Sequence, residues 1–204
     1  SADAKNAHTA IFYMLPSSVP GTVFENAGAI LTAEDLAEFI EEPTVLGLAE
    51  VMDYPAVLNG EDHILNKIKL AQANNMKIDG HASGLNAAQI LGYRAAGIET
   101  DHECITAHEA MNRIEQGMYV LIREGSAAKN LKALIPTINA ANARRFAFCT
   151  DDKHLDELME EGSINYSVAM AIEEGLEPLQ AIQIATLNAA ECYQLKNKGA
   201  LAAG

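Results

Sequence analysis

Ionisable side chains recur in this sequence at the ends of apolar runs. Glu50 closes the run 45–50, His81 closes 76–81, and His102 and Glu103 close 99–103. Arg123 and Glu124 end the run that starts at Tyr119, Asp151 and Asp152 follow 145–150, and Ser17 and Ser18 follow 9–15. A charge beside an apolar strand is costly to bury unless it is paired or holds a metal. Two imidazoles on successive strands, flanked by carboxylates, are a donor set suited to divalent cations. A carboxylate at Glu50 can bridge two cations, and Asp151 can take a proton from water and hand it to a leaving group. Because a bound cation brings the pKa of water toward ~7, this set points to metal-assisted hydrolysis. Read singly, each residue has a plainer role. A lone His81 is a hydrogen-bonded strand end, and it is the repeat at His102 that suggests ligation. Asp152 equally suits a helix N-cap. His8, His63 and His108 read as surface residues, and His154 lies near the same rim with its role open.

Such residues need a scaffold that gathers strand ends. The sequence predicts six strands, at 9–15, 45–50, 76–81, 99–103, 119–123 and 145–150, with amphipathic helices between them. Thr32-Ala33-Glu34-Asp35 resembles a capping box opening a helix to Glu42. Ile64, Leu65 and Ile68 fall at helical spacing within 59–75. The helices at 85–96 and 106–116 stop at Gly97 and Gly117, and Pro136 should break 129–143. Helical stretches at 154–161, 164–174 and 178–193 follow, the last with Pro178 at its start. Alternating strands and helices mean βαβ units and a parallel sheet, an α/β fold. A doubly wound sheet suits six units but lacks its usual glycine-rich first turn. A (β/α)8 barrel needs two more units and roughly 250 residues. The pattern leaves both open, and in both the site lies at the C-terminal strand ends.

Composition narrows the partners. The chain has 204 residues, enough for one domain with a sizeable core. Its net charge of −14 repels phosphate backbones, which argues against nucleic acid and leaves a small neutral or cationic substrate compatible. The three cysteines, Cys104, Cys149 and Cys192, are odd in number and form no CxxC, which fits a reducing cytoplasm. No run approaches the ~18 apolar residues of a membrane span. Nothing at the N-terminus reads as a signal peptide.

The order Glu50, His81, His102, Asp151 on successive strand ends resembles the amidohydrolase superfamily. Within it, the words are similar to those of the bacterial adenine deaminases. They are Leu15-Pro16-Ser17-Ser18-Val19-Pro20, Gly47-Leu48-Ala49-Glu50-Val51-Met52, Asp79-Gly80-His81, Thr100-Asp101-His102-Glu103, Arg123-Glu124-Gly125-Ser126 and Cys149-Thr150-Asp151-Asp152. Ala185-Thr186-Leu187-Asn188-Ala189-Ala190 and the residues from Gly199 onward fit the stretch where those enzymes leave the barrel for a small β domain. Glu50 discriminates best, since many relatives carry a carboxylated lysine there.

The resemblance implies an incomplete (β/α)8 TIM-type barrel in which the six strands are strands three to eight. The first two β/α units and the small β domain would be missing, and residues 1–204 would form a single partial catalytic domain. It implies two divalent metal ions, manganese or iron with zinc possible by ligand chemistry. Glu50 would bridge them, His81 and His102 would bind one, and Asp151 would bind the other and shuttle protons. Glu103, Arg123, Glu124 and Ser126 become candidates for gripping a purine. The implied reaction is hydrolysis of adenine to hypoxanthine and ammonia, in purine salvage, by a cytoplasmic homo-oligomer. The family's first strand carries an HxH pair, and no HxH occurs in this sequence. The chain is therefore expected to be a fragment that binds metal poorly by itself and pairs through open edges at its first and last strands. Two other readings remain. Another amidohydrolase, acting on a cyclic amide or a different aminopurine, would share the metal chemistry. A non-catalytic barrel piece would keep the rim residues as relics.

Overall fold

The computed structural model describes residues 7–22 and 24–203, so Gly204, the end of the stretch from Gly199, lies outside the described residues. All six expected strands form: β1 (Tyr13–Leu15), β2 (Val45–Val51), β3 (Lys77–Gly80), β4 (Thr100–Asp101), β5 (Tyr119–Arg123) and β6 (Phe146–Cys149). They pair in parallel in two sheets, β1-β2-β3 and β4-β5-β6. The sheets meet between β3 and β4, where Glu99 N–H donates to Ile78 O at 3.1 Å. One step on, the ladder gives way to a side chain: Gly80 N–H donates to Thr100 Oγ1 at 3.1 Å. The six strands thus follow one another in space as they do in sequence. Among the described residues no strand lies outside β1 or β6.

Glycine permits the close approach of these strands. A Cβ on Gly47 would lie 1.9 Å from Lys77 O, and one on Gly80 would lie 2.1 Å from Thr100 O. Both neighbours are backbone atoms that cannot swing aside. Gly47→Ala should therefore lower unfolding free energy by about 1–3 kcal/mol or more, the usual range for overpacking. Urea denaturation followed by circular dichroism measures this, and an unchanged midpoint would mean that β2 and β3 do not pack this closely.

Helix boundaries depart from the sequence reading for identifiable reasons. Thr32 caps as expected, accepting from Asp35 N–H while Asp35 accepts from Thr32 N–H, but the helix covers only Ala33–Ala37. Beyond it the chain tightens into i→i+3 turns toward Pro43, which disfavours a helical residue before it. The helix expected at 59–75 forms as Asp62–Ala73, and an unexpected short helix, Tyr54–Asn59, precedes it and ends at Gly60 with φ 78°. Asp53 caps the short helix through Ala56 N–H, and Pro55 sits in its first turn, a start signal the apolar periodicity had hidden. Pro136 does break its helix, leaving Leu131–Leu134 and a 3₁₀ turn at Ile135–Thr137. The last helical stretch carries a π-turn at Ile184–Asn188, which aims the buried Asn188 amide at Ala143 O and Phe146 O, at 2.7 and 2.8 Å.

The core follows strand alternation. Val120, Ile122, Phe146 and Phe148 pack with Leu131, Leu134, Ala171 and Ile184, while Leu48 and Ile78 pack with Ile68, Ile90 and Ile98. The opposite face of β5 and β6, Leu121 and Ala147, packs against Cys192 with Ala189 and Tyr193 alongside. The register shift between Leu48 and Val51 turns Glu50 out of this alternation, and the polar side chains at the C-terminal strand ends gather there. Among the described residues no helix is long and apolar enough to cross a membrane.

Candidate metal centre

Glu50 lies near the end of β2, His81 directly after β3 and His102 directly after β4, so three neighbouring strands place them together. Glu50 Oε2 is 3.1 Å from His81 Nδ1 and 3.2 Å from His102 Nε2. The two rings stand edge to face, their centroids 5.2 Å apart. His102 Nε2 is buried and, among the described residues, has no aligned hydrogen-bond partner; Glu50 is close but off the bond direction. The His102 ring, followed by the His81 ring, holds the Glu50 carboxyl far below the usual carboxylate range. Burial works against a charged ring at His102, but Glu50 outweighs it and the net shift is upward.

A second tier surrounds these three. Glu103 Oε1 lies 3.5 Å from His102 Nε2 and 3.8 Å from His81 Nδ1. Arg123 Nη1 donates to Glu103 and also to Asp151 Oδ2, the latter at 2.7 Å. Asp151 sits at φ 46°, a left-handed conformation that Asp tolerates better than most residues, immediately past the end of β6. Two donor groups result, Glu50-His81-His102 and His102-Glu103-Asp151, each with its ligand atoms within 4.8 Å of one another. Convergent imidazole and carboxylate donors, one of them a buried nitrogen without a partner, fit a borderline divalent cation.

Of the residues singled out in the sequence, the fold brings together Glu50, His81, His102, Glu103, Arg123 and Asp151. It places Glu124 and Ser126 in local roles. Glu124 accepts from Leu131 N–H at 3.2 Å, and burial pushes its carboxyl upward. Ser126 donates to Glu157 and accepts from His154 N–H at 2.8 Å. Asp152 accepts from Ala127 N–H at 2.8 Å and so ties down the β5–β6 rim; it is not a helix N-cap, since the next helix, Leu155–Glu160, has His154 at that position. Ser17 was left without a role in the sequence, yet its hydroxyl donates to Glu50 O at 2.5 Å while Lys67 Nζ reaches Ser17 O at 2.7 Å.

Sequence reasoning missed three residues. The Tyr93 hydroxyl accepts from His81 N–H at 3.0 Å and donates to Val51 O at 2.5 Å, joining the ends of β2 and β3. Asp101 and Arg113 form a buried ion pair, Nε to Oδ2 at 2.9 Å. Helical phase could have found Arg113: it follows Ala110 by three residues on the inward stripe of Ala107–Glu115.

Residues 2–204 match the model of the Amidohydrolase family. The chain belongs to that family. Among its relatives, the adenine deaminase of Lysinibacillus sphaericus is 68% identical over 202 residues, which are 99% of this chain and 35% of that protein. The adenine deaminase of Geobacillus kaustophilus is 56% identical over 202 residues, with the same two coverages of 99% and 35%. The chain thus spans about a third of the length of the curated relatives it matches. An uncharacterized metal-dependent hydrolase from Pyrococcus furiosus has a similar fold, with a TM-score of 0.56 and 14% identity over 99% of this chain and 50% of that one.

Proposed function

We propose that this chain carries part of the metal centre of an enzyme that hydrolyses adenine to hypoxanthine and ammonia. The observation that carries this reading is the approach of Glu50 Oε2 to His81 Nδ1 and His102 Nε2, at 3.1 and 3.2 Å, in a family member similar to adenine deaminases. In this reading residues 1–204 are one partial domain, and the six strands are strands three to eight of a (β/α)8 barrel. Their consecutive spatial order and the gathering of ionisable groups at one end support it. Glu50, His81, His102 and Asp151 would hold the two divalent cations. Manganese, iron and zinc all suit oxygen and nitrogen donors. When bound, the cations supply Lewis acidity and hydroxide at neutral pH.

The chain's own residues do the remaining work. Asp151 carries a proton from water to the departing amine. Arg123 holds Asp151 and Glu103 in place, and Glu103, the nearest further carboxylate to the two rings, grips the purine with Arg123. Glu124 and Ser126 act from the rim behind them. The purine enters as a small neutral substrate, consistent with an acidic surface that repels nucleic acid. A cytoplasmic setting suits the free cysteines, and we propose that the enzyme works there as a homo-oligomer.

The test is a chimera in which this chain replaces the matching 202 residues of the Lysinibacillus sphaericus adenine deaminase. Ammonia release should be robust with adenine and slight with adenosine and guanine, ring opening of hydantoin followed by chromatography should be slight, and the chain by itself should turn over little. Preference for hydantoin would move the reading to a cyclic-amide hydrolase. A chimera that folds and takes up metal but deaminates no purine would remove the reading altogether.

A further inference from the structure

Arg113 is among the largest side chains wholly inside the molecule, and the proposed chemistry does not use it. Its guanidinium makes three bonds in the interior. Nε donates to Asp101 Oδ2 at 2.9 Å, Nη2 to Ala82 O at 2.7 Å and Nη1 to Leu85 O at 3.2 Å. Asp101 completes the lattice. Its Oδ1 accepts from Ala82 N–H and from Glu103 N–H, each at 3.0 Å, and the Cys104 thiol donates to its Oδ2 at 3.5 Å. Ala82 is the residue after His81, and Asp101 and Glu103 flank His102. The pair therefore clamps both polar backbone atoms of His81's neighbour to the two residues around His102.

From this geometry we infer that Arg113 and Asp101 are positioning residues that set the spacing of the two imidazoles for a cation. The inference rests on the metal reading above. Strands β3 and β4 need such a device, because their ladder is interrupted where Thr100 Oγ1 replaces a backbone acceptor, leaving the two ligand-bearing ends without regular pairing. A fork that bonds two carbonyls and a carboxylate at once fixes direction as well as distance. Lysine supplies only a point charge and cannot reproduce it.

The experiment measures Zn²⁺ affinity in the chimera that carries this chain in place of the matching 202 residues of the Lysinibacillus sphaericus adenine deaminase, by competition with a chromophoric chelator and with folding checked by circular dichroism; wild type below means that chimera without further substitution. Arg113→Lys should bind Zn²⁺ about 10–100-fold more weakly than wild type, the range seen when outer-shell partners of metal ligands are changed. The control is Asn188→Ala, which removes buried hydrogen bonds at the far end of β6; it should lower stability and leave Zn²⁺ affinity unchanged. Equal affinity in Arg113→Lys and wild type would overturn the inference, as would an equal loss in both variants, since general destabilisation would then explain it. Wild-type protein that takes up no Zn²⁺ would overturn the metal reading itself. Should Arg113→Lys fail to fold, wild-type hydrogen exchange decides. Coupling between site and clamp is reciprocal, so Zn²⁺ should slow exchange of the Ala82 and Glu103 amides at least about tenfold. No change in those two amides would overturn the inference.

Discussion

His102→Ala should cost the protein its metal while costing its fold little. The reason lies in the two sides of the ring. In the metal-free chain His102 is buried, yet its Nε2 has no aligned hydrogen bond among the described residues. A buried polar atom without an aligned bond is a liability of about 1–3 kcal/mol, so removing it offsets part of what is lost with the ring, namely its packing and its attraction for the Glu50 carboxylate. The same nitrogen is one of the three donors that meet at Glu50, and no other imidazole among the described residues belongs to the cluster besides His81. Zn²⁺ affinity should fall by at least about 100-fold, the upper end of what changes outside the ligand shell produce. The urea midpoint of the metal-free protein should move by the equivalent of about 1 kcal/mol or less. In the chimera with the Lysinibacillus sphaericus enzyme, deamination should drop with the metal. Chelator competition and urea titration on the same sample separate the two effects. A variant that takes up Zn²⁺ like wild type would exclude His102 as a ligand, and one that unfolds would make it a structural residue.

That asymmetry between fold and site explains how much of each was legible. Strand positions were readable because the apolar runs are short and glycines, prolines and caps punctuate them. β5 matches its expected limits at both ends, and Gly97 and Gly117 end their helices with φ 99° and 77°. The helix at Tyr54–Asn59 was not readable from periodicity, because six residues are too few to show a stripe and only Asp53 and Pro55 announce it. Glu50, His81 and His102 stood out because each is ionisable and ends an apolar run, so burial needs a reason. Asp101 stands next to His102 and was overlooked, since a sequence shows that a charge is present but not which buried charge answers it. Its partner lies twelve residues on, inside a helix that looks amphipathic by every ordinary sign. Glu124 and Ser126 show the converse. Their place at a strand end is legible, but the hydrogen bonds their side chains make, with Leu131 N–H and with Glu157, are set by loop geometry that no residue pattern encodes.

Asp101→Ala should be the most damaging single change in the chain. Asp101 is 0% exposed and Arg113 1%, so neither can recover its hydration when the other is lost. Removing the carboxylate leaves a guanidinium buried without a counter-charge, a loss of about 3–5 kcal/mol in comparable cases. The amides of Ala82 and Glu103 lose their shared acceptor at the same time, which adds to the loss. Domains of this size are stable by only about 5–15 kcal/mol, so the variant should be largely unfolded or have a far lower urea midpoint at 25 °C. The cause can be tested apart from the size of the effect. If the uncompensated charge is responsible, Asp101→Leu combined with Arg113→Met should be more stable than Asp101→Ala alone, because replacing both ions with apolar groups removes the orphan. A double-mutant cycle on urea midpoints should then show strong non-additivity, with a coupling of about 0.5–3 kcal/mol or more. Additive losses would assign the damage to the two amides instead of the charge, and the ion pair would be a bystander to the hydrogen bonds that Asp101 accepts.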